Sequence, residues 1–426
     1  MKQFISVLCL VGILFVPNVI FGEEEAVAEG VDPPRSTVLM EASSGQILKE
    51  TNMHEAIPPA SVTKVMTMLL IHDAVASGKI NWDDQVTVSE HAASMGGSQV
   101  FMEEGEQQTV RDLLKCIAIA SANDAAVTMA EFIGGSEQQF VDLMNAKAKE
   151  LGMNDTVFKN ACGLHVDGHV SSAHDVALMS RELITKYPDI TKTLTIWMDT
   201  IVHRTRRGES EFGLTNTNKM LKWYPGITGL KTGYTPEAKH CVSATAKRDD
   251  MELIAVVLGG ADSKARFREA GSLLDYGFAN YKVSQGPQVG EVIAQVPVKK
   301  GQEDIVDATI DKSLSFVVPK SSSDANYEYK VEIDENLVAP VYKGQKVGTV
   351  VCLLDGKEVG TGELIAMADV DKAGLKNMIP YMLKRFFKSD EEKTADEAPA
   401  EETGDAAEKT EEKFITEEII LDDSVA

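Results

Sequence analysis

PPASVTKVMTMLL, residues 58–70, sets a serine and a lysine three residues apart at the head of an apolar run. Val62, Val65, Met66, Leu69 and Leu70 recur at three and four residues, the period of a helix with one buried face. Two prolines keep the preceding chain extended, and serine is a favoured N-cap, so the pattern predicts a helix starting at Ser61. On that reading Ser61 only begins a helix. The same spacing also has a chemical reading. Residues i and i+3 share a helix face, so the Lys64 amine reaches the Ser61 hydroxyl and, if unprotonated, takes its proton during attack. The free N–H groups of a helix start, that of Ser61 included, and the helix dipole would stabilise an oxyanion there. A neutral lysine at pH 7 requires burial or a second cation nearby.

That cation is available in GLKTGYT, residues 229–235, a β-prone segment carrying Lys231 and Thr232. Lys231 would depress the pKa of Lys64, and Thr232 would bond a substrate carboxylate. Gly233 leaves room for close approach of an extended peptide along the strand. Between the two lies SAND, residues 121–124, at the end of TVRDLLKCIAIASAND. There Thr109 and Asp112 form a capping-box-like start, and Leu113, Leu114, Ile117 and Ala118 share a helical face. Ser121 offers a hydroxyl for proton relay, and Asn123 an amide able to hold a peptide bond by donor and acceptor together. Each motif alone has a bland reading: a helix start, a helix C-cap, a loop tripeptide.

Together, Ser-x-x-Lys, Ser-x-Asn and Lys-Thr-Gly, in that order, resemble the penicillin-recognising serine transferases and hydrolases, a motif set already documented for that group. The stretches ASVTKVMT, IASANDAAV, ELGMNDTVFKNACGL, SSAHDVALMS and ITGLKTGYT narrow the likeness to the low-molecular-weight D-alanyl-D-alanine carboxypeptidases. The resemblance runs from about Arg35 through the β domain to the carboxy-terminal helix. It implies an α/β (α+β) penicillin-binding domain, an antiparallel sheet flanked by helices, followed by a small all-β domain. It also implies a serine-type reaction on peptidoglycan stem peptides ending in D-Ala-D-Ala, with Ser61 as nucleophile and Lys64 as base. The Ser61 and Tyr234 N–H groups would form the oxyanion hole, Ser121 and Lys231 would pass a proton to the departing D-alanine, and Asn123 would hold the peptide. β-Lactam antibiotics would acylate the same serine. Members often carry an arginine between two asparagines shortly before Lys-Thr-Gly; here NTNKM has Thr217 in that place, leaving Lys219 or Thr235 to bind the terminal carboxylate. The alternatives on the same fold are a DD-endopeptidase or transpeptidase, a β-lactamase, and a non-catalytic wall-binding or β-lactam-sensing protein.

The rest of the chain fits an exported protein. The first 22 residues pair Lys2 with an apolar run broken by Pro17, ending at small Gly22: a signal peptide, with an uncleaved anchor as the alternative. The peptidase domain is expected over residues 30–281, with hairpins in STVLMEASSGQILKE and in HCVSATAK plus MELIAVVLGG. Short strand-like runs over residues 285–370 predict the all-β domain. Residues 371–389 set an apolar stripe against Lys and Arg, an amphipathic helix suited to a membrane surface or, alternatively, to the β domain. Residues 390–426 form an acidic tail too poor in apolar residues to fold. These features place the protein on the outer face of the cytoplasmic membrane. The net charge of −24 argues against nucleic acid as a partner. Cys116, Cys162, Cys241 and Cys352 show no paired short spacing and read as small buried apolar residues, the histidines suggest no metal cluster, and the reaction needs no cofactor.

Overall fold

The computed structural model describes residues 32–321, 327–354 and 356–374. The expected signal peptide, nearly all of the amphipathic segment and the acidic tail lie outside the described residues.

The sheet at the centre is built from the two expected hairpins and one further strand. Strand β1 (Ser36–Glu41) pairs antiparallel with β2 (Ile47–Thr51). A second, separate hairpin joins β3 (Met198–Thr205) to β4 (Gly208–Thr215). Then β5 (Ile227–Thr235), β6 (Lys239–Arg248) and β7 (Met251–Gly260) complete the central sheet in the order β2-β1-β7-β6-β5, all antiparallel. The Lys-Thr-Gly motif therefore lies on an outermost strand with one edge unpaired within the sheet.

Both faces of this sheet are covered, which explains why MELIAVVLGG is apolar after Glu252 instead of alternating with polar residues. Ile254, Val256 and Leu258 face one core and Leu253, Ala255 and Val257 the other. The first core is filled by α1 (Lys64–Ala76), α2 (Val110–Lys115), α3 (Asn123–Gly134), α4 (Glu137–Glu150) and α5 (Ala173–Lys186). The second is closed by α6 (Ser263–Asn280), through Phe267, Leu273, Leu274 and Phe278. Helix α1 departs from the expected single buried face. Every residue from Val65 to His72 is buried, polar Thr67 included, so α1 is a central helix surrounded by others.

After α6 the chain turns to β structure, as its composition implies. A five-stranded antiparallel sheet is formed by Ala294–Pro297, Ile305–Ile310, Lys357–Ala366, Lys346–Leu354 and Tyr327–Ile333, with a separate pair Tyr281–Gln285 and Ser315–Pro319. Its core is its own, built on Val296, Ile310, Val318, Val350 and Leu364. All four cysteines beyond the signal region are unbridged and buried.

Candidate active site

The Ser-x-x-Lys motif is more tightly wound than a capped helix start. Ser61 lies inside a single 3-10 turn, Ala60–Thr63, rather than at an N-cap; Pro59 ahead of it is already helical and gives no side-chain cap. The turn is held from below by Gly163, whose φ of +84 lets its backbone fit under Ala60: a Cβ there would stand 1.9 Å from the Ala60 carbonyl oxygen. From this turn Lys64 points inward with no exposed surface. Its Nζ donates to Ser61 Oγ at 3.0 Å, to Asn123 Oδ1 at 2.6 Å and to the Cys162 carbonyl at 2.8 Å. Burial pulls its pKa from the ordinary lysine range down to about 8, against smaller opposing effects of Cys162 and Asp124.

SAND sits where two helices meet. After α2 the chain widens into a π turn, Cys116–Ala120, and Ser121 ends it in the left-handed conformation at φ 63. Such local strain is found where surrounding structure fixes a functional geometry. Asn123 then opens α3 instead of ending the helix before it. Its backbone N–H donates to the Ser98 carbonyl, its Nδ2 to the Gly96 carbonyl at 2.6 Å, and its Oδ1 receives Lys64. The amide is thus partly engaged already: Lys64 takes one lone pair of Oδ1 and Gly96 one hydrogen of Nδ2, leaving one acceptor site and one amide hydrogen.

Lys231 on β5 is as buried as Lys64, and donates to Ser121 Oγ at 2.8 Å and to the Thr232 carbonyl at 3.0 Å. Burial first, then the charges of Lys64 and Arg266, hold its pKa well below the lysine range. Burial is the larger cause at both lysines, and the repulsion between Lys64 and Lys231 is mutual, so each cation disfavours the charge of the other. Gly233 does allow close approach, but of Ser61's own turn. A Cβ on Gly233 would come within 3.0 Å of Ser61 N and the Pro59 carbonyl oxygen. Tyr234 is 56% exposed and stacks on His240 with ring centroids 4.5 Å apart. Thr232 Oγ1 donates to Thr217 Oγ1 at 2.7 Å. Thr217 is itself fixed by its N–H to the Ile119 carbonyl and by its neighbours: Asn216 Nδ2 bonds the Leu194 and Ile196 carbonyls, and Asn218 Nδ2 the Gly229 carbonyl. Lys219 is exposed on the short turn Lys219–Lys222, and Thr235 Oγ1 is taken by the Ala238 N–H.

Three contributors escaped the sequence reading. Asn160 Oδ1 accepts from the Cys162 and Gly163 N–H groups and so shapes the loop that offers Lys64 a carbonyl; an Asn three residues before a Gly is the only trace of it. Asp124 accepts from the N–H groups of Val100 and Met102, tying the loop beside Asn123 to α3. Arg266 reaches β5 from α6, a contact with no signal in sequence.

Ser61 thus has a buried amine of lowered pKa on its hydroxyl, a second hydroxyl–lysine pair beside it, and an unpaired strand edge alongside. Such a cluster activates a serine for acyl transfer. Relatives carry the same architecture. Residues 27–262 match the D-alanyl-D-alanine carboxypeptidase family, peptidase S11, and residues 284–372 match the penicillin-binding protein 5 C-terminal domain. The chain is 43% identical over 378 residues to the D-alanyl-D-alanine carboxypeptidase DacF of Bacillus subtilis, covering 88% of this chain and 96% of that one. It is 33% identical to DacC of Escherichia coli, covering 88% and 93%. The crystal structure of penicillin binding protein 5 from Haemophilus influenzae superposes with a TM-score of 0.70 at 32% identity, covering 80% of this chain and 100% of that one. With its own cluster in the family's three-motif order, this chain belongs to the D-alanyl-D-alanine carboxypeptidase family, peptidase S11.

Proposed function

We propose that the protein is a serine-type D-alanyl-D-alanine carboxypeptidase that removes the terminal D-alanine from peptidoglycan stem pentapeptides, and that penicillins acylate the same serine. The observation that carries this reading is the contact of Lys64 Nζ with Ser61 Oγ at 3.0 Å, by an amine whose pKa is lowered to about 8. In the proposed reaction neutral Lys64 accepts the Ser61 proton as Oγ bonds the carbonyl carbon of the penultimate D-alanine. The oxyanion is received by the Ser61 and Tyr234 N–H groups. The C–N bond then breaks, and the departing amine takes its proton through Ser121, backed by Lys231. Water attacks the acyl-enzyme, releasing the shortened peptide and returning the proton to Ser61. Asn123 keeps one amide hydrogen for the substrate, and Tyr234 and Gly233 form the strand edge beside which the peptide lies. The Thr232–Thr217 hydroxyl pair supports a carboxylate site at the end of that edge, in preference to Lys219 or Thr235.

The site of action follows from the substrate, which lies outside the cytoplasmic membrane. Export by residues 1–22 and attachment to the membrane surface by residues 371–389 complete the proposal. Among the described residues no helix is long and apolar enough to cross a membrane. The test is to incubate the full chain with a pentapeptide ending in D-Ala-D-Ala and assay free D-alanine, with Ser61→Ala as control. Release by the wild type and none by the variant is the expected result. Penicillin labelling of Ser61 without any release of D-alanine would refute the hydrolase reading in favour of a sensor.

A further inference from the structure

Arg266 is a buried cation beside the site that the proposed reaction leaves unused. It stands in the first turns of α6, whose N-cap Asp262 accepts from the Lys264 and Ala265 N–H groups, and it reaches across the second core to β5. The residue is 8% exposed. Its Nη1 donates to the Gly233 carbonyl at 2.7 Å and to the Cys241 carbonyl at 3.1 Å, and its Nε has no partner. Among the described residues no carboxylate lies within ion-pair distance of it, and burial lowers its pKa to about 10. Gly260 makes room for it, since a Cβ there would press on the Arg266 Cβ at 3.3 Å.

Holding a helix to a sheet does not call for this arrangement. A buried cation without a counter-charge is expensive, and hydrogen bonds to carbonyls do not by themselves require a charged donor. What distinguishes the site is the peptide that the guanidinium touches. Gly233 is paired with Cys241 of β6, and one nitrogen reaches both carbonyls, so the Gly233 oxygen lies on the β6 side of the outermost strand. The Gly233–Tyr234 bond is trans, since the cis bonds of the described residues lie elsewhere. A trans peptide directs its C=O and N–H oppositely, so the Tyr234 N–H faces the open edge, where Ser61's turn is packed against Gly233.

We infer that Arg266 is a positioning residue for the oxyanion hole: its charge polarises the Gly233–Tyr234 peptide and fixes its plane, strengthening the Tyr234 N–H as a donor to the developing oxyanion. Hydrogen bonds in series through one peptide reinforce one another, and the gain is largest in a dry, low-dielectric setting. The same cation also adds to the positive field on Lys231, consistent with its place beside the motif. The inference rests on the proposed acyl-enzyme at Ser61.

The test compares Arg266→Gln, which keeps an uncharged donor, with Arg266→Lys, which keeps the charge, both in the full chain. The readouts are the penicillin acylation rate and the infrared stretch of the acyl carbonyl in the penicilloyl-enzyme, a measure of oxyanion-hole strength that simple loosening of a helix would not shift. Arg266→Gln is expected to slow acylation by about three- to tenfold and to move the stretch to higher frequency. Arg266→Lys is expected to recover most of both. A Gln variant with the wild-type rate and stretch overturns the inference, as do Gln and Lys variants equally slow with an unmoved stretch. A wild type that takes up no penicillin refutes instead the reading of Ser61 as nucleophile.

Discussion

The sharpest consequence of the site concerns the protonation of Lys64. Its pKa of about 8 leaves about a tenth of the molecules with a neutral amine at pH 7 and about nine-tenths at pH 9. Attack by Ser61 needs that neutral form, so the second-order rate of acylation should climb about tenfold between pH 7 and 9 and level off above. The sign follows from the base being depressed by burial: raising the pH removes its proton and adds activity. Asn123→Asp tests the cause. The side chain is nearly isosteric, but it sets a carboxylate where Oδ1 now lies 2.6 Å from Lys64 Nζ. Even at the ~4 kcal/mol of a pair 4 Å apart under an effective dielectric of about 20, such a charge raises the lysine pKa by about three units. The neutral fraction at pH 7 then falls about a thousandfold, and the rising limb moves beyond pH 9. Stopped-flow acylation by a fluorescent penicillin, followed from pH 6 to 10 in both proteins, isolates this step from later hydrolysis. A flat wild-type profile between pH 7 and 9 would sink the assignment of Lys64 as the base. So would an Asn123→Asp variant within tenfold of wild type at pH 7.

Two further outcomes are expected. Thr217→Val keeps the shape but removes the acceptor of the Thr232 hydroxyl; kcat/KM for the pentapeptide should fall by about three- to tenfold, chiefly through KM, as for loss of one hydrogen bond. A fall confined to kcat would count against a carboxylate site there. Towards the end of α1, burial would raise the pKa of Asp73, but hydrogen bonds from Lys186, Tyr187 and Lys147 prevail and hold it below the usual carboxylate range. Its contribution is therefore full above its unfolded value near pH 4 and disappears as pH falls through the lower folded value. Asp73→Asn should lower Tm at pH 7 by the equivalent of about 1–2 kcal/mol and by less at pH 2, and an equal loss at both pH values would refute the linkage.

The sequence disclosed the parts of this site that local rules govern. Three residues of spacing put Lys64 beside Ser61, a capping threonine led to the helix before Ser121, and β-branched and apolar runs marked the central hairpins. It misjudged what depends on packing. Ser61 looked like an N-cap because serine usually is one, whereas Gly163 beneath Ala60 and Gly233 beside Ser61 admit a tighter turn. That Lys64 shares the Asn123 amide was equally hidden, since the two lie 59 positions apart in the chain. Arg266 had no signal at all, being one arginine in a polar helix start, yet it is the residue that grips the Gly233–Tyr234 peptide. These misses share a cause. Each depends on surroundings distant in sequence: burial and the Asn123 contact at Lys64, burial with Lys64 and Arg266 at Lys231, Arg266 at Gly233. Short motifs identify which atoms meet at the strand edge. The buried charges around them determine their protonation and polarity, so exchanging a buried neighbour outside the motifs should change rate without changing the order of events.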